Sequence, residues 1–307
     1  MKICNKCNRE AFYFRKYSGE YLCKECFKKS IILKVKRTIS KYKMIKYGDK
    51  VGVAVSGGKD SLSLLHILNI LSKKHNNKLY AISVDEGIKN YRDEAINYVK
   101  DFTSKLGIPL KVVSYKELYG FSLDEFMKRR NFEITSCTFC GILRRRAIDL
   151  AAKEIKLDVI ATAHNLDDTV QTFFMNLLTG EMDRIKWIDP RLEPKSEFAV
   201  RRVKPFMEIY EEEIALYAYL NNIPFQSISC PYSGESIRSE IRKILNTLEA
   251  KHPGSKYSLL STALKIAQNL NIEGKKELKL CELCGNPSSS NLCQACRMLS
   301  LVKPLYL

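Results

Sequence analysis

Long apolar runs, acidic residues and helix breakers are what this 307-residue sequence is short of. No uninterrupted apolar stretch approaches the roughly 18 residues that a bilayer-spanning helix needs. The start, Met-Lys-Ile-Cys-Asn-Lys, lacks the apolar segment of a secretory signal. The expectation is a soluble, cytoplasmic chain with no membrane partner. Nine prolines and 14 glycines are too few for a collagen-like or low-complexity chain, and a 45% hydrophobic content excludes one too polar to bury a core. At roughly 150 residues each, about two domains are expected.

Acids number 34 against 51 lysines and arginines, for a net charge of +17. Residues 1–46 carry 14 of the basic residues and three acids, Glu10, Glu20 and Glu25, so 11 of the 17 charges lie there. A local basic patch is the footprint expected of a polyanionic partner; a solvated lysine-rich face is the plainer reading. Residues 30–46 read as a basic linker helix with Ile31, Ile32, Val35, Ile39 and Ile45 available for an apolar stripe. Lys34, Arg37 and Lys41 are its candidate nucleic-acid contacts.

Eleven cysteines are many for a reducing compartment, and an odd number cannot close into a full disulfide set. Cys4, Cys7, Cys23 and Cys26 form two x2 pairs at one end, and Cys281, Cys284, Cys293 and Cys296 do so at the other. Each quartet is a tetrahedral zinc pattern that could staple a piece too small for its own core. Cys137, Cys140 and Cys230 remain. Three thiolates make either an iron-sulfur site with one iron open or a redox trio, whereas structural zinc would want a fourth ligand.

Between the quartets, short β-rich runs alternate with helical patterns: strands at 51–55, 79–84, 110–114 and 158–162, and helices at 61–72, 91–106, 141–155 and 166–178. That rhythm predicts a parallel sheet covered by helices. Residues 183–205, with Pro190, Pro194 and Pro205, read as loop. Further helices are expected at 211–220 and 236–248, and a short one at 259–267.

Ser56-Gly57-Gly58-Lys59-Asp60-Ser61 follows the first of these strands and opens a helix. Glycines let the backbone approach a phosphate, helix-start N–H groups point at it, and Lys59 adds a charge. Asp60 and Asp168 are candidate magnesium ligands, and Asp167 is read as a helix cap.

The hexapeptide resembles the PP-loop of the ATP pyrophosphatases. His164-Asn165-Leu166-Asp167-Asp168 is similar to that family's second ATP motif, with Ala163 where the family usually has glycine. Val84-Asp85-Glu86-Gly87-Ile88 falls where the family receives adenosine. The loop, the Cys137-x2-Cys140 pair ahead of Leu143-Arg144-Arg145-Arg146, the third cysteine and both quartets together resemble the tRNA 2-thiouridine synthetases of the TtcA and TtuA type. Within them, the branch that thiolates the wobble uridine is the nearest likeness.

The resemblance implies a Rossmann-like α/β PP-loop domain over 47–251, between zinc fingers at 1–29 and 280–307, with linkers at 30–46 and 252–279. It implies an ATP site of Ala54, Ser56, Gly57, Gly58, Lys59, Asp60, Ser61, Asp85, Arg144, Ala163 and His164. Cys137, Cys140 and Cys230 would hold a 4Fe-4S cluster and, with Lys59, Asp60 and Asp168, carry the catalysis. ATP, Mg2+, the cluster and two Zn2+ are the implied cofactors. The implied partners are tRNA and either a ubiquitin-like thiocarboxylate carrier or free sulfide, with a homodimer left open. The reaction is adenylation of a uridine C2 oxygen and its replacement by sulfur. Its rivals are the same reaction at the T-loop uridine, a cluster-free cysteine persulfide, and a zinc-dependent RNA-binding module without catalysis.

Overall fold

The computed structural model describes residues 2–129, 134–192, 200–233, 237–270 and 279–302. Pro194, Ser236 and the expected linker residues 271–278 lie outside them.

In chain order the elements are β1 Tyr13–Arg15, β2 Glu20–Leu22, α1 Lys24–Lys41, β3 Lys50–Ala54, α2 Lys59–His75, β4 Lys78–Asp85 and α3 Arg92–Leu106. Next come β5 Leu110–Ser114, α4 Tyr115–Tyr119, α5 Leu123–Arg129, α6 Ser136–Ile155, β6 Val159–Ala161, α7 Leu166–Leu178 and α8 Met182–Lys186. The chain continues through β7 Arg201–Val203, α9 Glu211–Leu220, α10 Ile237–Lys251, α11 Ser255–Asn269, β8 Lys279–Leu280, β9 Pro287–Ser288 and α12 Gln294–Val302.

Five strands form one sheet in the order β5-β4-β3-β6-β7, and every neighbouring pair is parallel. Strand order reverses between β3 and β6. In sheets of this kind the crevice beyond the carboxyl ends of the strands at such a reversal is where ligands bind. Ser56–Ser61 follows β3 and His164–Asp168 follows β6, so the topology itself brings the two motifs together.

Alternation along the strands builds a core on each face. Val51, Val53, Val159, Ala161 and Val203 pack with α1, α2 and α9. Ile82, Val84, Val113 and Ile160 pack with α6. Burial on both faces is why these strands read as near-continuous apolar runs.

Helix α1, at Lys24–Lys41, starts six residues before the linker helix expected at 30–46 and ends five residues short of it, and further features differ from the sequence reading. The fifth strand, Arg201–Val203, lies in the stretch expected to be loop; three residues with two arginines carry no strand pattern. Helix α6 starts at Ser136, five residues earlier than expected, because Thr135 caps it by accepting from the Thr138 N–H. Helix α11 runs for 15 residues, longer than the short helix expected, and buries Leu260, Ala263, Leu264 and Ala267.

Candidate active site

The loop after β3 is built to face a ligand. Gly57 has φ +86, and a Cβ there would lie 2.6 Å from the Ala95 carbonyl oxygen, so both backbone conformation and space require glycine. Gly58 is the N-cap of α2 and supplies no side-chain cap, which leaves the first N–H groups of that helix for an incoming anion. The Ser61 hydroxyl donates to the Gly58 carbonyl (3.0 Å) and accepts from the Ser56 N–H (3.1 Å), fixing the loop from within. The cleft above it, about 300 Å³, is lined as well by Phe225, Gln226 and Ser227.

Carboxylates surround the loop lysine. Lys59 Nζ donates to Glu211 Oε1 (2.8 Å) and Asp60 Oδ2 (3.2 Å). Asp60 Oδ1 is buried and has no hydrogen-bond partner. Burial, reinforced by the negative charges of Glu211 and Asp168 and opposed by Lys59, pushes the Asp60 carboxyl up to about 6. An orphaned carboxylate oxygen in such company is the donor that a magnesium ion on a phosphate would use.

Beyond β6, Asn165 and Asp168 form a capping box on α7: the Asp168 N–H donates to Asn165 Oδ1 (2.9 Å) and the Asn165 N–H to Asp168 Oδ2 (3.2 Å). The expectation that Asp167 caps this helix is therefore corrected. Asp167 instead accepts from the Lys256 ammonium and from the Glu211 N–H. His164 Nδ1 lies 2.9 Å from Thr162 Oγ1. His164 is solvent-exposed, and desolvation by the protein around it, together with the positive charges of Lys204, Arg238, Arg145 and Arg202, lowers its pKa and favours the neutral ring.

The cysteine pair occupies the start of α6. Cys137 is exposed, Cys140 is buried one turn later, and Cys230 is half-buried on a separate loop. That loop lies against the helix start: Ser136 Oγ donates to the Tyr232 carbonyl (3.0 Å), and Cys137 Sγ is 3.8 Å from the same oxygen. The three sulfurs are less tightly gathered than the terminal quartets, in each of which all four lie within 4.8 Å of one another. Burial pushes the Cys140 thiol up, while Arg144 pulls the other way.

Two arginines and one acid join these parts. Glu86 is 2% exposed. Its Oε1 accepts from Arg144 Nε (2.6 Å), and its Oε2 pairs with Arg92 Nε (2.8 Å). Arg144 then reaches Cys140 Sγ (3.3 Å) with Nη2. Arg92 donates to the Ser56 carbonyl (2.6 Å) and to Ser83 Oγ (2.9 Å). Ala54 ends β3, and Asp85 ends β4 and accepts from the Gly87 N–H (2.8 Å). Ala163 is half-buried beside His164. The Cys230 loop is itself tied to the phosphate loop, since the Gln226 N–H donates to the Gly57 carbonyl (3.0 Å) and its side chain to the Tyr91 carbonyl (2.6 Å).

Sequence reasoning missed Glu86, Arg92, Glu211 and Gln226. Signals existed for Glu86, beside Asp85 in the Val84–Ile88 motif, and for Arg92, in the Tyr91-Arg92-Asp93 stretch that shares the family likeness.

The terminal quartets combine two buried and two half-buried cysteines each. Burial raises Cys4, but N–H donors from Cys23 and Lys6 more than offset it and bring its pKa to about 6. Cys281 is brought to about 6 in the same way by Cys293 and Leu283. Burial and the neighbouring sulfurs push Cys26, Cys293 and Cys296 the other way, so each quartet crowds thiols that favour the thiolate beside thiols that do not, a charge a zinc ion would balance.

The expected nucleic-acid contacts separate. Arg37 is exposed. Lys41 is exposed but paired with Glu208 (2.6 Å). Lys34 is turned inward, donating to the Tyr17 hydroxyl, the Tyr257 hydroxyl (2.9 Å) and Glu213 (3.2 Å). The reading of Lys34 as an RNA contact is corrected: its charge is spent inside the protein.

Comparison with known proteins gives consistent results. Residues 28–248 match the PP-loop domain, and residues 3–28 match the N-terminal LIM domain of the 2-thiouridine synthetase TtuA. A probable sulfurtransferase of Methanocaldococcus jannaschii is 40% identical over 99% of this chain and 89% of its own length. The cytoplasmic tRNA 2-thiolation protein 1 of Anopheles gambiae is 36% identical over 96% of this chain and 86% of its own. Among solved structures, the U34-tRNA thiolase NcsA from Methanococcus maripaludis with its [4Fe-4S] cluster superposes with a TM-score of 0.85 at 35% identity, covering 99% of this chain and 96% of that one.

Proposed function

This chain belongs to the PP-loop family of tRNA-thiolating sulfurtransferases, and on that premise we propose that it converts the wobble uridine of cytoplasmic tRNA to 2-thiouridine at the expense of ATP. The observation that carries this reading is the Arg92–Glu86–Arg144 chain, which runs from the phosphate-loop carbonyl of Ser56 to the sulfur of Cys140.

The uridine C2 oxygen is a poor leaving group. Its attack on the α-phosphorus of ATP releases pyrophosphate and leaves the oxygen bonded to AMP; sulfur then adds at C2 and AMP departs with that oxygen. In this reading the free N–H groups at the start of α2 and Lys59 take up the charge developing on pyrophosphate. Asp60, through its orphaned oxygen, and Asp168 would hold Mg2+. Ala54, Asp85 and Ala163 would border the nucleoside, and neutral His164 would donate or accept a hydrogen bond without adding charge. A 4Fe-4S cluster on Cys137, Cys140 and Cys230 would supply an iron free to hold the sulfur to be transferred. Arg144 fits that donor set, because a guanidinium beside Cys140 favours its thiolate form. Each terminal quartet would hold one Zn2+.

The match of residues 3–28 to the TtuA domain favours a second reading, the same chemistry at the T-loop uridine. The test is anaerobic purification with iron, sulfide and zinc analysis, pyrophosphate release, and mapping of 2-thiouridine in the product. Thiolation mapped to the anticodon, lost in Lys59→Ala while tRNA binding persists, is the expected result. Thiolation in the T-loop selects the second reading, and full activity in iron-free protein promotes a cysteine persulfide. Turnover with sulfide alone would separate free sulfide from a thiocarboxylate carrier as donor.

A further inference from the structure

The β1–β2 hairpin of the amino-terminal module has two unlike faces. Inward, Tyr13 packs edge-on against Phe27 at 4.9 Å, Leu22 is fully buried, and Arg15 reaches Glu213. Outward, Phe12 and Phe14 are 46% and 43% exposed. Phe14 stacks on Tyr21, its cross-strand partner, at 4.5 Å. Lys24 Nζ stands 5.1 Å from the Phe12 ring centre and Lys2 Nζ 5.5 Å from that of Tyr21. Two nearby acids are already engaged, Glu20 by Lys6 and Arg15 and Glu25 by Lys28.

We propose that this face is a stacking platform for unpaired bases of the RNA substrate, with Phe12 and Phe14 as the rings that receive them. This inference rests on the tRNA reading above and moves the contact from the linker-helix lysines to the hairpin. Aromatic rings flanked by ammonium groups match a base with its phosphate, since every base offers a π-face and the lysines complement the backbone. A patch two or three rings wide is the footprint of one or two bases. A stable protein partner would need about 800 Å² on each side.

The experiment is equilibrium binding of full-length protein to an unmodified tRNA transcript, a short single-stranded RNA and a duplex RNA of equal length, across a salt series. Phe12→Ala and Phe14→Ala should each weaken binding of tRNA and single-stranded RNA by about tenfold. They should leave duplex binding and the salt dependence unchanged, because stacking releases no counterions. Phe12→Tyr and Phe14→Trp, which keep a ring, should retain affinity, and the new tryptophan's emission should be quenched by single-stranded RNA.

Unchanged tRNA affinity in both alanine variants would overturn the proposal, as would equal losses for duplex and single strand. Loss of affinity in the ring-retaining variants with their zinc content intact would also overturn it. So would a change from dimer to monomer with RNA binding intact, which would make the face a contact between copies. Thiolation by the wild-type protein, measured beside these, keeps the two readings apart: its absence defeats the proposed reaction, whereas its presence with unaltered variant affinity defeats only the platform.

Discussion

The two cysteine quartets offer the same four ligands, yet the modules that carry them are joined to the body in different ways. At the amino end, Cys4, Leu22, Cys23 and Phe27 belong to the same core as β3 and α2. The buried carboxylate of Glu213 collects Arg15 (2.7 Å), the Tyr17 hydroxyl (3.0 Å) and Lys34 (3.2 Å) from that side. At the carboxyl end, Ala295 and Val302 of α12 reach the core around α6, with a hydrogen bond from Lys153 to Asn286 (3.0 Å). Leu280 and Leu283 remain exposed. The difference teaches that ligand spacing identifies a metal module, while the charged residues around it decide how firmly it is built in.

The sharpest way to break this comparison is to spoil each quartet in turn. Cys4→Ser should lower the thermal unfolding of the whole nucleotide-binding body, because metal affinity in such modules is folding free energy, on the order of 10 kcal/mol. Cys281→Ser should release one zinc and leave that transition nearly in place. Metal analysis beside calorimetry decides it, and equal shifts would refute the asymmetry.

Glu213→Ala comes next. It removes the buried carboxylate shared by Arg15 and Lys34 and leaves Arg15 only Glu20 as a charged partner, which should cost about 3 kcal/mol, read from denaturant unfolding.

Lys34→Ala should cost about 2 kcal/mol through its lost charged hydrogen bonds and leave the salt dependence of RNA binding unchanged. Arg37→Ala should do the reverse, with no loss of stability and a slope flatter by about one unit if Arg37 meets a phosphate. Smallest is Lys153→Ala, expected to cost about 1 kcal/mol and to loosen only the carboxyl-terminal module, seen as faster amide exchange there.

Much of this was legible in the sequence because it is local. Strand period, the Gly57-Gly58 punctuation and the x2 cysteine pairs lie within windows of a few residues. What escaped depends on partners far along the chain. Glu211, Glu212 and Glu213 open the helix expected at 211–220, where acids suit the dipole, and nothing local assigns them partners. In the fold, Glu211 meets Lys59, 152 residues away, and Glu213 meets Arg15, 198 residues away. Lys34 could have been placed better. It stands three residues after Ile31 and four before Thr38, both buried, and so shares the inward stripe of α1. Charge alone suggested the opposite face.

Glu86 has a consequence for how this chain can change. One carboxylate steadies Arg92 on the phosphate loop and Arg144 on Cys140. A substitution there would disturb both halves of the site at once. Lys204, whose charge acts on His164, belongs to the nucleotide side, and Tyr232, whose carbonyl meets Ser136, to the cysteine side. Position 86 is where the phosphate half and the sulfur half of the site share one anchor.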